Sequence, residues 1–278
     1  MSYRYGSASK QFIHTSDAPM SENEIALYAP SVMAAEPHES RGERYAYIST
    51  IEILRGLQRE GFGVHEVRQT KVRNEGKRDF TKHLVRLRHA DSKRGAEVPE
   101  IILLNSHDGT SSYQILDGIF RFICSNGLIC GDIGNVVKVR HSGRVMNDVI
   151  EGSFRVLDAA KGAVERIDAY KGISLSHEEQ RAFAAAALQL RWEDTAPIEP
   201  GHAIQARRFE DRKPDLWTTF NRVQENLVRG GQPGLTATGK NTRTREVTSV
   251  GENVRLNRAL FTLADTMARI TNGEPVAA

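Results

Sequence analysis

The chain has 278 residues, 38 Lys and Arg against 35 Asp and Glu, a formal net charge of +3, 39% hydrophobic and 26% charged residues. That balance excludes global disorder, and no apolar run approaches the ~20 residues that cross a bilayer. Cys124 and Cys130 are the two cysteines, at a spacing that fits neither a zinc site nor a redox pair, so reduced thiols, no metal and no cofactor are expected. The first residues lead into no apolar segment, so no secretory signal and a cytoplasmic location are expected.

In chain order, residues 1–44 mix Ser, Pro and Glu with short apolar pieces and read as an N-terminal arm. A short helix follows from Ser49 or Thr50, with Ile51, Leu54 and Leu57 on one face and Gly61 as its stop. Residues 62–73 and 80–89 then alternate with period two around the polar connection 74–79, which predicts a β-hairpin. In its second strand His83, Val85, Leu87 and His89 share one face, while Lys82, Arg86 and Arg88 make the other face basic. Residues 100–105, apolar on both sides, read as a central strand. Residues 111–124 form another, interrupted at Asp117-Gly118 as by a bulge or turn.

Beyond Val145 the period becomes helical. One helix covers 145–170, and a second opens at Ser176, where Glu179 completes a capping box. A third carries Leu216, Phe220, Val223 and Leu227 at i, i+4, i+7 and i+11 and stops at the glycines 230–234, and a last runs over 247–270. The fold class is therefore α+β. A central antiparallel β-sheet with a basic hairpin, a β-β-β-α-like core in residues 45–144, precedes a helical C-terminal region, 145–278, packed on it.

Charge is uneven along this plan. Residues 68–94 hold ten Lys or Arg against three acids, and residues 207–245 hold nine against four. Each is either a solvated charged face or part of a polyanion-binding surface, where every neutralised phosphate releases counterions.

The stretch NSHDGTSSY, residues 105–113, has three readings. It is a turn whose Asp and Ser side chains satisfy local backbone groups. Alternatively His107 and Asp108, with Arg121, form a catalytic or metal site, or Ser106, Thr110 and Ser111 touch nucleic acid. The stretch GLTATGKNT, residues 234–242, has the outline of a phosphate loop. Asn241 stands where a hydroxyl should meet magnesium, though, and the loop follows a helix rather than a strand, which leaves a solvated loop or one carrying Lys240, Arg243 and Arg245 to a phosphate backbone. Tyr45, Tyr47, Phe62, Phe80 and Tyr113 are either core or stacking platforms, and His65, His83 and His89 cluster only if the hairpin register allows it.

The strings LLNSHDGTSSY, FRFICSNGLICGD, LWTTFNRVQENLVRGG and NVRLNRALFTLA resemble an uncharacterised, phage- and plasmid-associated family, the domain of unknown function numbered 932. The resemblance covers about residues 45–270, with Asn105, Ser106, His107, Asp108, Gly109, Arg121, Cys124, Asn126, Gly127, Arg222, Glu225 and Asn226 as motif positions. It implies a mobile-element setting and no defined activity. The order of elements is also similar to the β-β-β-α core of single-strand annealing proteins, which implies a ring- or filament-forming homo-oligomer; the long helical C-terminal part departs from that core.

The expected function is single-stranded DNA binding, with strand annealing as its extension and no membrane contact. The expected contacts are Arg68, Lys71, Arg73, Lys82, Arg86, Arg88, Ser106, Thr110, Ser111, Lys240, Arg243 and Arg245. Two alternatives stand beside it: an enzyme on nucleic acid or nucleotides centred on His107 and Asp108, and a protein-binding inhibitor of host defence.

Overall fold

A computed structural model describes residues 11–16, 18–42, 45, 47–70, 72, 74–92, 95–121, 126–129, 137–138, 145–193 and 195–274. The alternating segments build one sheet. Strands β1 (Gln11–Thr15), β2 (Phe62–Thr70), β3 (His83–His89), β4 (Glu97–Asn105), β5 (Gln114–Arg121) and β6 (Asn126–Ile129) lie side by side in chain order, and β7 (Val137–Lys138) also pairs with β5. Pairings from β1 through β5 are antiparallel. The β2–β3 connection tightens into a 3-10 turn, Glu75–Phe80, whose Asn74 side chain accepts from the Gly76 N–H.

β4 is interior, between β3 and β5, as its apolar character demands. β5, by contrast, runs unbroken through Asp117-Gly118, where an interruption was expected; Gly118 pairs with Glu100 across the ladder. The register places His83, Val85 and Leu87 on the face of Gln69, Val67 and Val64, with Asn105, Leu103 and Ile101 beside them. Helix α2 (Thr50–Arg59), capped by the Ser49 side chain, covers this face with Ile53, Leu54 and Leu57.

The described part of the N-terminal lead-in is built into the same core, which corrects its reading as an arm. Ile25 and Ala29, in and after α1 (Glu22–Tyr28), and Val32 are fully buried there, and the Met20 N–H bonds to the Val64 carbonyl at 2.7 Å. Two helical turns are too short a window for a 3.6-residue period to stand out from the sequence. Helix α3 (Val145–Gly172) adds Val149, Val156 and Leu157 to this core. It approaches closely: a Cβ on Gly56 would lie 2.4 Å from Met146 Sδ, so a side chain there would require the Met146 thioether to move.

The chain divides into two compact units, the first drawn from 1–127, 133–161 and 248–250, the second from 128–132, 162–247 and 251–278. The boundary therefore falls inside α3 rather than at residue 144. Long-range packing sets it, because α3 is one unbroken helix whose first half belongs to the sheet's core.

The second unit is helical. In α4 (His177–Arg191) the predicted capping box between Ser176 and Glu179 is formed. The short turn α5 (Pro200–Ala203) leads on to α6 (Leu216–Arg229), and α6 is followed by a small hairpin, β8 (Pro233–Leu235) and β9 (Asn241–Arg243), and by α7 (Val250–Thr271). Trp217 stacks on Phe220 at 5.4 Å, and Phe220 meets Phe261 edge-on at 6.0 Å. Leu216, Phe220, Val223 and Leu227 are buried as their spacing requires. The polar side of α6 is buried as well, and several of its groups pair: Gln224 donates to Asn257, and Arg222 Nη2 to Gln180 and Thr219. Among the described residues, no helix is long and apolar enough to cross a membrane.

Candidate nucleic-acid interface

NSHDGTSSY forms a turn held by its own side chains. Asp108 Oδ1 accepts from the Thr110 N–H and hydroxyl, Ser106 Oγ accepts from the Ser111 N–H at 2.8 Å, and Gly109 adopts φ +77°. Ser106 is fully buried, which removes it from any surface contact; Thr110 is exposed and Ser111 half-buried.

His107 points inward, fully buried, into a polar cluster. Thr50 Oγ1 sits 2.9 Å from His83 Nε2 and 3.4 Å from His107 Nε2 and accepts from Asn105 Nδ2, while Ser31 Oγ lies 2.9 Å from His83 Nδ1. Burial, which penalises the charged ring, lowers the His83 pKa to about 3 and the His107 pKa to about 4, although Asp108 and the Ser31 carbonyl pull the latter back up. Both rings are thus neutral near pH 7. Arg121 stands at the far end of β5 from this turn, on the order of 20 Å along the strand, and ion-pairs with Glu97. His107, Asp108 and Arg121 therefore do not converge on one centre. His65 and His89 are likewise apart from His83: His65 binds the Ser16 carbonyl and His89 the Glu60 carbonyl.

The basic face of the β2–β3 hairpin is a buried ion-pair network rather than an open surface. Glu100, fully buried, accepts from Arg86 Nη1 at 2.9 Å and from Arg88 Nε at 2.8 Å, and Glu66 pairs with Arg68 and, at 3.6 Å, with Arg86. Arg88 also lies over the Phe120 ring, 3.9 Å from its centroid. This corrects the assignment of Arg68, Arg86 and Arg88 as phosphate contacts: all three charges are already matched by carboxylates, and Arg86 and Arg88 are also buried from water. The sequence holds the clue in Glu66 and Glu100, which alternation puts on the arginines' face. Lys82 is half-buried, and Lys71 and Arg73 lie outside the described residues, as do Cys124 and Cys130. Of the aromatic candidates, Phe62 and Tyr113 are core, Tyr45 donates to the Ser106 carbonyl, Tyr47 packs on the His107 ring, and Phe80 on that of His38.

An open cationic surface does occur in the second unit, where two loops are fastened to the C-terminal end of α6. The hairpin β8–β9 springs from Gly230, whose φ of +65° and tight approach to the Arg245 backbone exclude a side chain. It is tied down through Gln232, which donates to Asn226 Oδ1 at 2.6 Å, and through the Leu235 N–H to the Pro197 carbonyl at 2.8 Å. Outward alternation then exposes Arg243 and Arg245, with Lys240 exposed at the tip, and no carboxylate pairs with these three among the described residues. Because Asn241–Arg243 is a strand, the GLTATGKNT stretch is a hairpin tip and not a phosphate loop opening a helix.

Residues 203–213 form the second loop. Asn226 Nδ2 donates to the carbonyls of Ala203 and Gln205, and Arg207 bridges Asn226 Oδ1 and the Gly230 carbonyl, so the bases of the two loops share one anchor. Arg208 links Asp211 and Glu225, each at 2.6 Å. Outside this framework stand Phe209, Arg212 and Lys213, all exposed; the two cations were counted in the basic run 207–245 but not among the expected contacts, and nothing in RRFEDRK hints that the phenylalanine faces out. Residues 205–213 and 230–246 together carry seven Lys and Arg against Glu210, Asp211 and Glu246, and Asp211 is buried.

These features define an α+β protein that joins an antiparallel sheet to a helical unit bearing a cationic two-loop surface. The chain belongs to the family described as Domain of unknown function (DUF932), whose model matches residues 37–261. It is 47% identical over 252 residues to the UPF0380 protein YfjQ of Escherichia coli (strain K12), covering 90% of this chain and 92% of that one. It is similarly 46% identical over 252 residues to the UPF0380 protein YafZ of the same organism. No solved structure matches. Several family motif positions now have a physical setting: Asn105 holds Thr50, Arg222 holds Gln180, Glu225 neutralises Arg208 and Arg229, and Asn226 anchors both loops.

Proposed function

We propose that this protein binds single-stranded DNA through the two-loop surface of its second unit. The observation that carries the reading is the exposure of Lys240, Arg243 and Arg245, free of carboxylate partners among the described residues, on a hairpin fixed at its base. Rigid anchoring lowers the ordering cost of engaging a strand, and cations without counter-charges gain most from displacing condensed ions. The reading extends to annealing of complementary strands by a homo-oligomer, in the cytoplasm of a cell carrying a phage or plasmid. The buried, neutral His107 gives the rival reading of a catalytic centre no support.

Titrating labelled oligothymidylate at several salt concentrations tests the proposal. Three phosphate contacts predict a slope of about −2 in log affinity against log salt. The variant K240A/R243A/R245A should lose about that slope and weaken binding on the order of tenfold or more at low salt. An unchanged slope in the variant, or no binding by the parent protein at low salt, overturns the reading. Light scattering with and without the oligonucleotide, followed by mixing of complementary strands, tests assembly and annealing.

A further inference from the structure

We propose that Phe209 is a stacking platform for one unpaired nucleobase, with Arg212 and the hairpin cations holding the phosphates on either side. The inference rests on the single-strand reading and adds the contact that would distinguish an unpaired strand from a duplex. At 76% exposure Phe209 is the most exposed large apolar side chain among the described residues. Exposure alone decides little, since single apolar side chains are common on protein surfaces. What sets Phe209 apart is the fastening of its loop. Side-chain bonds among Arg207, Arg208, Asp211, Glu225 and Asn226 anchor the residues on both sides of it to α6, and the ring stands out in water.

The surroundings indicate the occupant. An apolar groove on a protein partner would call for apolar neighbours around the anchor, whereas the residues either side of Phe209 are Arg207, Arg208, Arg212 and Lys213 against the exposed Glu210 and the buried Asp211. The Arg212 guanidinium lies over the ring, 5.3 Å from its centroid, which positions a cation beside anything flat stacked on the remaining face. A flat, apolar-faced and polyanionic ligand satisfies both features, and a nucleobase on a phosphate backbone is such a ligand. In a duplex the base faces are already occupied, so the platform would serve an unpaired strand.

The test compares oligothymidylate with an abasic oligomer of equal length, which keeps the phosphates and removes the bases. F209A should weaken oligothymidylate binding on the order of tenfold and leave the abasic oligomer and the salt slope unchanged. F209L, apolar without a π-face, should lose as much as F209A, and F209W should keep affinity and add fluorescence that oligothymidylate quenches. Equal losses on both oligomers, no loss on either, or full affinity in F209L would overturn the platform while leaving the phosphate-binding reading intact. Failure of the parent protein to bind either oligomer would overturn both.

Discussion

Glu100→Ala destabilises the sheet unit by about 3–5 kcal/mol, a large share of the roughly 5–15 kcal/mol that a domain has. The carboxylate is fully buried and neutralises two guanidiniums at once, Arg86 at 2.9 Å and Arg88 at 2.8 Å. Without it Arg86 retains the longer pairing with Glu66 at 3.6 Å and Arg88 the face of Phe120, and both lose their short contact to a carboxylate. A ring face cannot replace a counter-charge in a site with so little water. Glu100→Gln keeps the volume and one acceptor oxygen but not the charge, so its loss should fall between wild type and Glu100→Ala. Replacing Glu100, Arg86 and Arg88 together by apolar residues of similar volume should recover most of the loss, because the cost lies in the stranded charges rather than in the missing contact. Urea unfolding followed by far-ultraviolet circular dichroism measures all three. A loss below about 1 kcal/mol for Glu100→Ala would mean that water reaches the network and that the arginines are available to phosphate after all.

That network marks the line between what the sequence discloses and what it withholds. Local chemistry was legible. The Ser176–Glu179 capping box, the Leu216 to Leu227 spacing, the interior character of β4 and the side of β3 that faces the core all follow from residues within a few positions of one another. The facing of Arg86 and Arg88 was legible too, but not what covers that face, because Glu66 and Glu100 come from two other strands and a running charge count scores every arginine as free. The described part of residues 1–44 was misread for a similar reason: α1 is short, and its one fully buried side chain, Ile25, is recognised only against a sheet formed much later in the chain. Phe209 was illegible because what holds its loop out, the side chains of Glu225 and Asn226, lies on a different element, α6.

Between pH 7.5 and pH 4.5 the free energy of unfolding falls by about 5 kcal/mol on account of His83 and His107 alone, on an unfolded pKa of about 6.5 for each. Above that value both rings are neutral whether the chain is folded or not, and pH has no hold on stability through them. Below it the unfolded chain takes up protons that the buried rings refuse until about pH 4 for His107 and about pH 3 for His83, so stability is lost steadily as the pH falls through this window. Geometry makes the refusal cooperative. The two rings lie 5.2 Å apart and share Thr50 Oγ1, so charging one raises the cost of charging the other. Proton NMR of the imidazoles gives the direct check: both should retain neutral-form chemical shifts at pH 5.5. A variant with both residues replaced by Asn loses stability at every pH, but its dependence between pH 7.5 and pH 4.5 should be flatter than wild type by about 5 kcal/mol. Equal slopes in variant and wild type would show that the rings take up protons in the folded state, and a protonated His107 would restore the case for acid–base chemistry at this turn.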